Sequence, residues 1–279
     1  MNSKTPGSRI PLEGTTNTRD LGGYLSSDGR KVKYQRLVRT DYLGHITDND
    51  IAFLHDILKA RYEVDMRGSD EIRRNPNRPV PGLQLIHMPI QDDLNEGYDL
   101  NPHTHYDIED QAIKGTVDYL FRMDLNGDLT NAFEKVYRDF LSPFGAEHYA
   151  KFLRLCLDNQ EGCILFHCAD GKDRSGLAAA ILLTCLGVDH QTIIKDYLRT
   201  NENTKEKALY REKYLRDVCH VDDEIVINSI KMIAGVRENW LEAAFDEMKK
   251  QAGSIPAFIH DKLLLSDEDI CILKDNYLE

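Results

Sequence analysis

The chain has 279 residues, 41% of them hydrophobic, enough to bury a sizeable core. Its formal net charge of −12 argues against binding driven by attraction to nucleic acid or an anionic membrane, so any anion-binding site has to be local. No apolar run approaches the roughly 20 residues of a membrane span, and the opening MNSKTPGSRIPLEG lacks the hydrophobic centre of a signal peptide; the expectation is a soluble, cytoplasmic chain, or a secreted one if an export signal has been removed.

Along the chain, Ser27-Asp28-Gly29 between YLS and RKVKY predicts a hairpin turn, because glycine reaches positive φ at little cost. The apolar positions 51, 54, 57 and 58 predict an amphipathic helix over Asp48 to Ala60. Tyr62 to Met66 and Leu83 to Ile90 read as short buried strands, with the polar, turn-rich RGSDEIRRNPNRPVPG between them. Residues 91–130 are polar and irregular, then helical over 111–123, the composition of an insertion or lid. Two amphipathic helices follow over 129–159, broken at Ser142-Pro143. GCILF at 162–166 is a continuous apolar run of strand type, GLAAAILLTCL at 176–186 is an apolar helix, and residues 188–279 read as a helical annex ending in a helix opened by Ser266. Strands separated by helices imply an α/β architecture, read as one domain over 1–279.

Between that strand and that helix lies HCADGKDRSG, residues 167–176. A loop from strand to helix turns successive backbone N–H groups toward one point at the positive end of a helix dipole, which makes an anion site. Gly171 and Gly176 permit the tight path, Arg174 can grip two phosphate oxygens as a fork, and a thiol at such a point is favoured as its thiolate nucleophile. The competing reading of these residues is a small core cysteine beside a solvated charged turn. The pattern is not a Walker loop, since G-x-x-x-x-G-K-[ST] does not occur. The six cysteines lack the spacing of a disulfide scaffold or zinc ribbon, and His103-x-His105 has no third ligand at a sensible spacing, so neither metal nor cofactor is expected.

With five residues between Cys168 and Arg174, the loop resembles that of the Cys-x5-Arg phosphatases. More narrowly, it is similar to the bacterial tyrosine and lipid phosphatases with the loop HCxxGKDRTG, such as the secreted phosphatases of Mycobacterium and Listeria. The resemblance extends to Asn17-Thr-Arg-Asp-Leu-Gly-Gly-Tyr24, to Val64-Asp-Met-Arg67 with the acidic-basic segment that follows it, and to WLEAAFDEM…GSI…LLLSDEDI near the end. The myotubularin lipid phosphatase loop HCSDGWDRT is also similar, with Trp where this chain has Lys172. The resemblance implies a protein-tyrosine-phosphatase-like fold: a central, mostly parallel sheet flanked by helices, with a helical lid insertion and a helical C-terminal annex. It implies Cys168 as nucleophile, Arg174 as the anion and transition-state ligand, and Ser175 as the hydroxyl that hydrogen-bonds the sulfur. Ala169, Asp170, Gly171, Lys172, Ser175 and Gly176 would line the phosphate, His167 would order the loop, and Asp65 would sit on the same rim in a supporting or salt-bridging role beside Arg67.

The only tryptophan is Trp240, followed by Leu241 and Glu242, so the Trp-Pro-Asp loop of many tyrosine phosphatases is absent. The resemblance assigns the proton donor to Asp173, with Asp92 or Asp93 as the rival. Arg19 and Asp20 read as structural, and Cys163 reads as a core residue, with a protective disulfide to Cys168 as the alternative. Lys172 beside Arg174 would suit a second phosphate, so the expected substrates are phosphotyrosine and phosphoserine or phosphothreonine proteins, with phosphoinositides or inositol phosphates as the alternative. The reading from another class is a catalytically silent phosphate-binding module.

Overall fold

The computed structural model describes residues 5–91 and 129–279. Strands β1 (Arg19–Asp20), β2 (Leu37–Thr40), β3 (Ala60–Asp65), β4 (Gln84–His87) and β5 (Cys163–His167) form one sheet in the order β1-β2-β5-β3-β4. All neighbours are parallel except β1, which runs antiparallel to β2. The strand expected over 162–166 is thus the central one, buried along its whole length, as a continuous apolar run in a parallel sheet requires. Its register matches His167 to Thr40 on one side and to Asp65 on the other. Three strands therefore end at one edge, the place where parallel α/β sheets hold their ligands.

Side chains of β5 alternate between the two faces. Ile164 and Phe166 join the larger core, with Phe152, Leu177, Ile181 and Trp240; Cys163 and Leu165 join a smaller one with Val38, Leu43, Leu54 and Leu58. The smaller face is covered by α1 (Asp48–Ala52), which opens with a Thr47/Asp50 capping box. The expected helix to residue 60 continues only as a wider turn, Leu58 N–H donating to the Phe53 carbonyl at 2.9 Å, and stops at Lys59, whose φ is 51°. The segment read as turn-rich contains a further helix, α2 (Ser69–Arg74). The strand expected over 83–90 is shorter and lies at the sheet edge, where Leu85 is 53% exposed. At the hairpin turn the Ser26 N–H donates to the Arg30 carbonyl at 2.8 Å, with Gly29 at φ 87°.

The larger face packs against α3 (Leu129–Asp139), α4 (Pro143–Asp158), α5 (Arg174–Cys185) and α6 (His190–Leu198). The α3–α4 break falls where Ser142-Pro143 placed it: the Ser142 hydroxyl accepts from Gly145 N–H and proline occupies the first turn. Helices α7 (Thr200–Asn203), α8 (Lys205–Asp217), α9 (Glu224–Ala234), α10 (Glu238–Ala252), α11 (Ile255–Asp261) and α12 (Asp267–Tyr277) complete the chain, the last with a Ser266/Asp269 capping box. The expected lid, and with it Asp92, Asp93, His103 and His105, lies outside the described residues.

Candidate active site

The loop leaves β5 at His167 and enters α5 at Arg174. Its carbonyls are tied down on the outside, one after another. Cys168 O accepts from His167 Nδ1 (3.0 Å), Ala169 O from the Tyr42 N–H (3.1 Å), and Asp170 O from Asn17 Nδ2 (3.1 Å). Gly171 O accepts from both Asn17 Nδ2 (3.0 Å) and Arg39 Nη2 (2.8 Å), and Lys172 O from Arg39 Nη2 (3.3 Å). Asp173 O takes the Leu177 N–H of the helix (2.8 Å), and Arg174 O takes the Tyr149 hydroxyl (3.0 Å). In a planar trans peptide the N–H opposes its carbonyl, so a loop with outward carbonyls turns amides toward its concave side. Glycine is needed at position 171: its φ is 62°, and a Cβ there would lie 2.4 Å from the Thr40 carbonyl oxygen.

The residues that brace the loop are themselves locked. Arg19 donates to the Asn17 side-chain oxygen, and Asn17 N–H donates to Asp41 Oδ1 at 3.1 Å. Asp196 on α6 pairs with Arg39 (3.3 Å) and Arg19 (3.7 Å) and accepts from the Tyr24 hydroxyl (2.8 Å), all in the interior. Burial, and then the neighbouring Arg39, pull Arg19 down to about 10 against the attraction of Asp196. The motif Asn17-Thr-Arg-Asp20 therefore serves the loop from behind. Asp20 is structural as expected, its carboxylate accepting from the Gly22 and Gln35 N–H groups at 2.8 Å.

His167 is buried beneath the loop. Its Nδ1 faces a carbonyl and its Nε2 faces Glu63 Oε1 at 3.2 Å, with Asp65 at 3.8 Å. The Asn77 Nδ2 amide also faces Nε2, at 3.2 Å, so this nitrogen sits between an amide donor and two carboxylates. Burial opposes a charge on the ring, but Asp65 and Glu63 outweigh it and raise the His167 pKa. Asp65 is held down to about 2, because His167 and Arg67 overcome the cost of its burial. Arg67 Nη2 lies 2.7 Å from Asp65 Oδ2, and Arg67 also reaches the Asn75 carbonyl (2.9 Å) and Asn77 Oδ1 (3.0 Å). Asp65 thus supports the rim from inside.

At the loop's centre the Cys168 Sγ lies 3.5 Å from the Ser175 Oγ. Arg174 presents its two terminal nitrogens to both carboxylate oxygens of Glu71, Nη2 to Oε1 at 2.9 Å and Nη1 to Oε2. Glu71 also accepts the Gly68 N–H at 2.9 Å, capping α2. Burial works against the Arg174 charge, but Glu71, then Cys168 and Asp173, raise its pKa. Asp173 occupies the N-cap of α5 without capping it. One oxygen accepts from the Tyr137 hydroxyl (2.8 Å) and the other pairs with Lys172 Nζ (2.9 Å).

Lys172 departs from the expectation of a second phosphate ligand. Its side chain is 2% exposed, turned inward to Asp173, the Gly235 carbonyl (3.4 Å) and the Phe133 ring. Asp170 also acquires a role: its carboxylate pairs with Lys207 Nζ on α8 at 2.8 Å. Trp240 stacks on Phe133 in the core. Cys163 is a free, buried cysteine on the opposite face of β5 from Cys168, and burial raises its thiol pKa.

The description "Tyrosine phosphatase family" matches this chain over residues 10–279. The chain belongs to the tyrosine phosphatase family. Triple specificity protein phosphatase PtpB of Mycobacterium tuberculosis is 25% identical over 263 residues, covering 90% of this chain and 92% of that protein. A Cupriavidus necator protein named for tyrosine-protein phosphatase activity is 26% identical over 271 residues, 96% of this chain and 88% of its own length. A tyrosine-protein phosphatase of Nostoc commune is 28% identical over 163 residues, 57% of this chain and 46% of that protein.

Asn17, Arg39, Glu71, Tyr137, Asp196 and Lys207 were not legible as site residues. Of these, Asn17 and Glu71 lay in stretches the sequence singled out, neither with a role at the loop, and the 153 positions between Asn17 and the loop are bridged by tertiary structure alone.

Proposed function

We propose that this tyrosine phosphatase hydrolyses phosphomonoesters on tyrosine and on serine or threonine of proteins, through a phosphoryl group carried on Cys168. The observation that carries this reading is the 3.5 Å approach of Ser175 Oγ to the Cys168 sulfur at the foot of a loop whose carbonyls are all turned away. In the first step the Cys168 thiolate attacks phosphorus, the P–O bond to the alcohol breaks, and Asp173 gives that oxygen a proton. Inward amides and Arg174 hold the non-bridging oxygens. In the second step water attacks phosphorus, Asp173 takes its proton, and the sulfur departs with Ser175 donating to it, leaving inorganic phosphate and the starting thiolate.

Protein esters are favoured over polyphosphorylated lipids because Lys172 is committed to Asp173 and Asp170 is committed to Lys207, so neither ammonium is presented to a further phosphate. The Mycobacterium relative, a triple specificity protein phosphatase, supports a protein substrate and a breadth of specificity.

Hydrolysis of an aryl phosphate by wild type, Cys168→Ser and Asp173→Asn tests the chemistry. Cys168→Ser is expected to lose about 10⁴-fold or more in turnover. Asp173→Asn is expected to lose roughly 10²-fold with phenyl phosphate and much less with a good leaving group. Turnover retained in Cys168→Ser refutes the nucleophile. A panel of phosphopeptides against phosphoinositide vesicles separates the substrate classes.

A further inference from the structure

An N-cap aspartate ordinarily accepts a backbone N–H from the first turn of its helix. Asp173 does not, although it stands at the N-cap of α5. Its carboxylate is drawn aside by two donors, Lys172 Nζ at 2.9 Å and the Tyr137 hydroxyl at 2.8 Å. Tyr137 comes from α3, and its oxygen lies 2.5 Å from the Tyr197 hydroxyl of α6. Tyr137 has a single proton, which goes to Asp173, so Tyr197 donates to Tyr137 and the two phenols form a chain ending on the carboxylate. Both rings are fully buried, and they meet edge to face with centroids 6.1 Å apart. Burial, then the charge of Asp173, raise both phenols well above 10, so neither ionises at neutral pH. Gly176, in the first turn of α5, leaves room for this arrangement: a Cβ there would lie 3.3 Å from the Tyr197 ring.

We infer that Tyr137, backed by Tyr197, is a positioning residue for proton transfer: its hydroxyl holds the Asp173 carboxylate off the helix end and aimed at the leaving-group oxygen. A carboxylate has about four lone-pair sites, so a donor on each oxygen still leaves room for the proton that Asp173 carries and gives to the leaving oxygen. Without the phenol, Lys172 alone holds the Asp173 carboxylate, which is expected to swing toward the ammonium and away from the scissile bond. The chain of two hydroxyls joins α3 and α6 at the acid, so this geometry is set by core packing and not by the loop. The inference rests on the reading of Asp173 as the acid.

The test compares wild type, Tyr137→Phe, Tyr197→Phe, Asp173→Asn and the Tyr137→Phe/Asp173→Asn double variant on phenyl phosphate and on an aryl phosphate with a strongly acidic phenol. Tyr137→Phe is expected to lower kcat for phenyl phosphate by about tenfold, with kcat for the good leaving group and inhibition by inorganic phosphate near wild type. Tyr197→Phe should show the same pattern more weakly, and the double variant should lose no more than Asp173→Asn alone. Equal loss on both substrates, no loss on either, or additive loss in the double variant overturns the positioning role. If Asp173→Asn itself shows no dependence on the leaving group, the assignment of the acid fails first, and with it the premise. If Asp173→Asn shows the dependence and Tyr137→Phe does not, only the inference about Tyr137 fails.

Discussion

Two arginines stand on opposite sides of the loop between β5 and α5. Arg39, on the outer side, is wholly buried; it fills the carbonyls of Gly171 and Lys172 and the carboxylate of Asp196. Arg174, on the inner side, grips a single carboxylate, Glu71, which is itself 18% exposed at the mouth of the site. The outer contact uses backbone groups that cannot leave. The inner one uses the terminal edge of the guanidinium, so the edge through Nε remains for a second bidentate partner. The outer wall is therefore a matter of folding, and the inner wall a matter of chemistry.

The sharpest way to break this contrast is Arg39→Met. It takes the side-chain donor from the Lys172 carbonyl and one of two from the Gly171 carbonyl, removes one partner of the buried Asp196, and should cost about 3–5 kcal/mol of stability and lower Tm by several degrees. An unchanged Tm would show that the outer wall is not structural.

The support beneath the loop predicts a pH dependence. Asp65 has a depressed folded pKa, about 2. Its stabilisation, about 2 kcal/mol, is present above its unfolded value near 3.9 and is lost as pH falls through about 2. His167 has a raised folded pKa. Its contribution is complete below the unfolded value near 6.5 and is lost as pH rises through the folded one. Urea unfolding across pH should give the wild type both slopes, with the acid slope reduced in Asp65→Asn and the alkaline slope in His167→Gln.

Glu71→Ala addresses the inner wall. With its end-on partner gone, Arg174 loses its fixed plane and kcat/KM should fall roughly tenfold, while Tm, since the cap of the short α2 is also lost, should fall, but less than in Arg39→Met. A large fall in Tm would make Glu71 an outer-wall residue in function. The smallest effect belongs to Lys207→Ala: it breaks a partly exposed pair with Asp170 and should cost less than about 1 kcal/mol.

The loop was legible because three signals coincided there. A continuous apolar strand, a cluster of glycines and charges, and an apolar helix can hardly be arranged otherwise than as strand, anion loop and helix. The caps at Ser142-Pro143 and Ser266 were legible for a similarly local reason: hydroxyl, proline and acidic residues act on their own first turn. β2 was not, because Arg39 and Thr40 are buried polar residues within a four-residue strand, and polar residues erase the hydrophobic pattern that marks a strand. α2 was missed because six residues rich in charge carry no apolar stripe; its helix is held by the Glu71 capping contact and ends at Asn75. Lys172 shows the limit in the site itself. Its place in the loop suggested a ligand for phosphate, while its direction is set by Asp173, Gly235 and Phe133, of which the last two are remote in sequence.

The central claim is that Cys168 carries the phosphoryl group and Ser175 assists its departure. Rapid chemical quench of Ser175→Ala during turnover of an aryl phosphate, followed by peptide mass spectrometry, tests it most directly. The account predicts a burst of phenol release together with a phosphoryl group on the peptide containing Cys168, at higher occupancy than in wild type. A burst with the phosphoryl group on another residue, or with Cys168 unmodified, would contradict it.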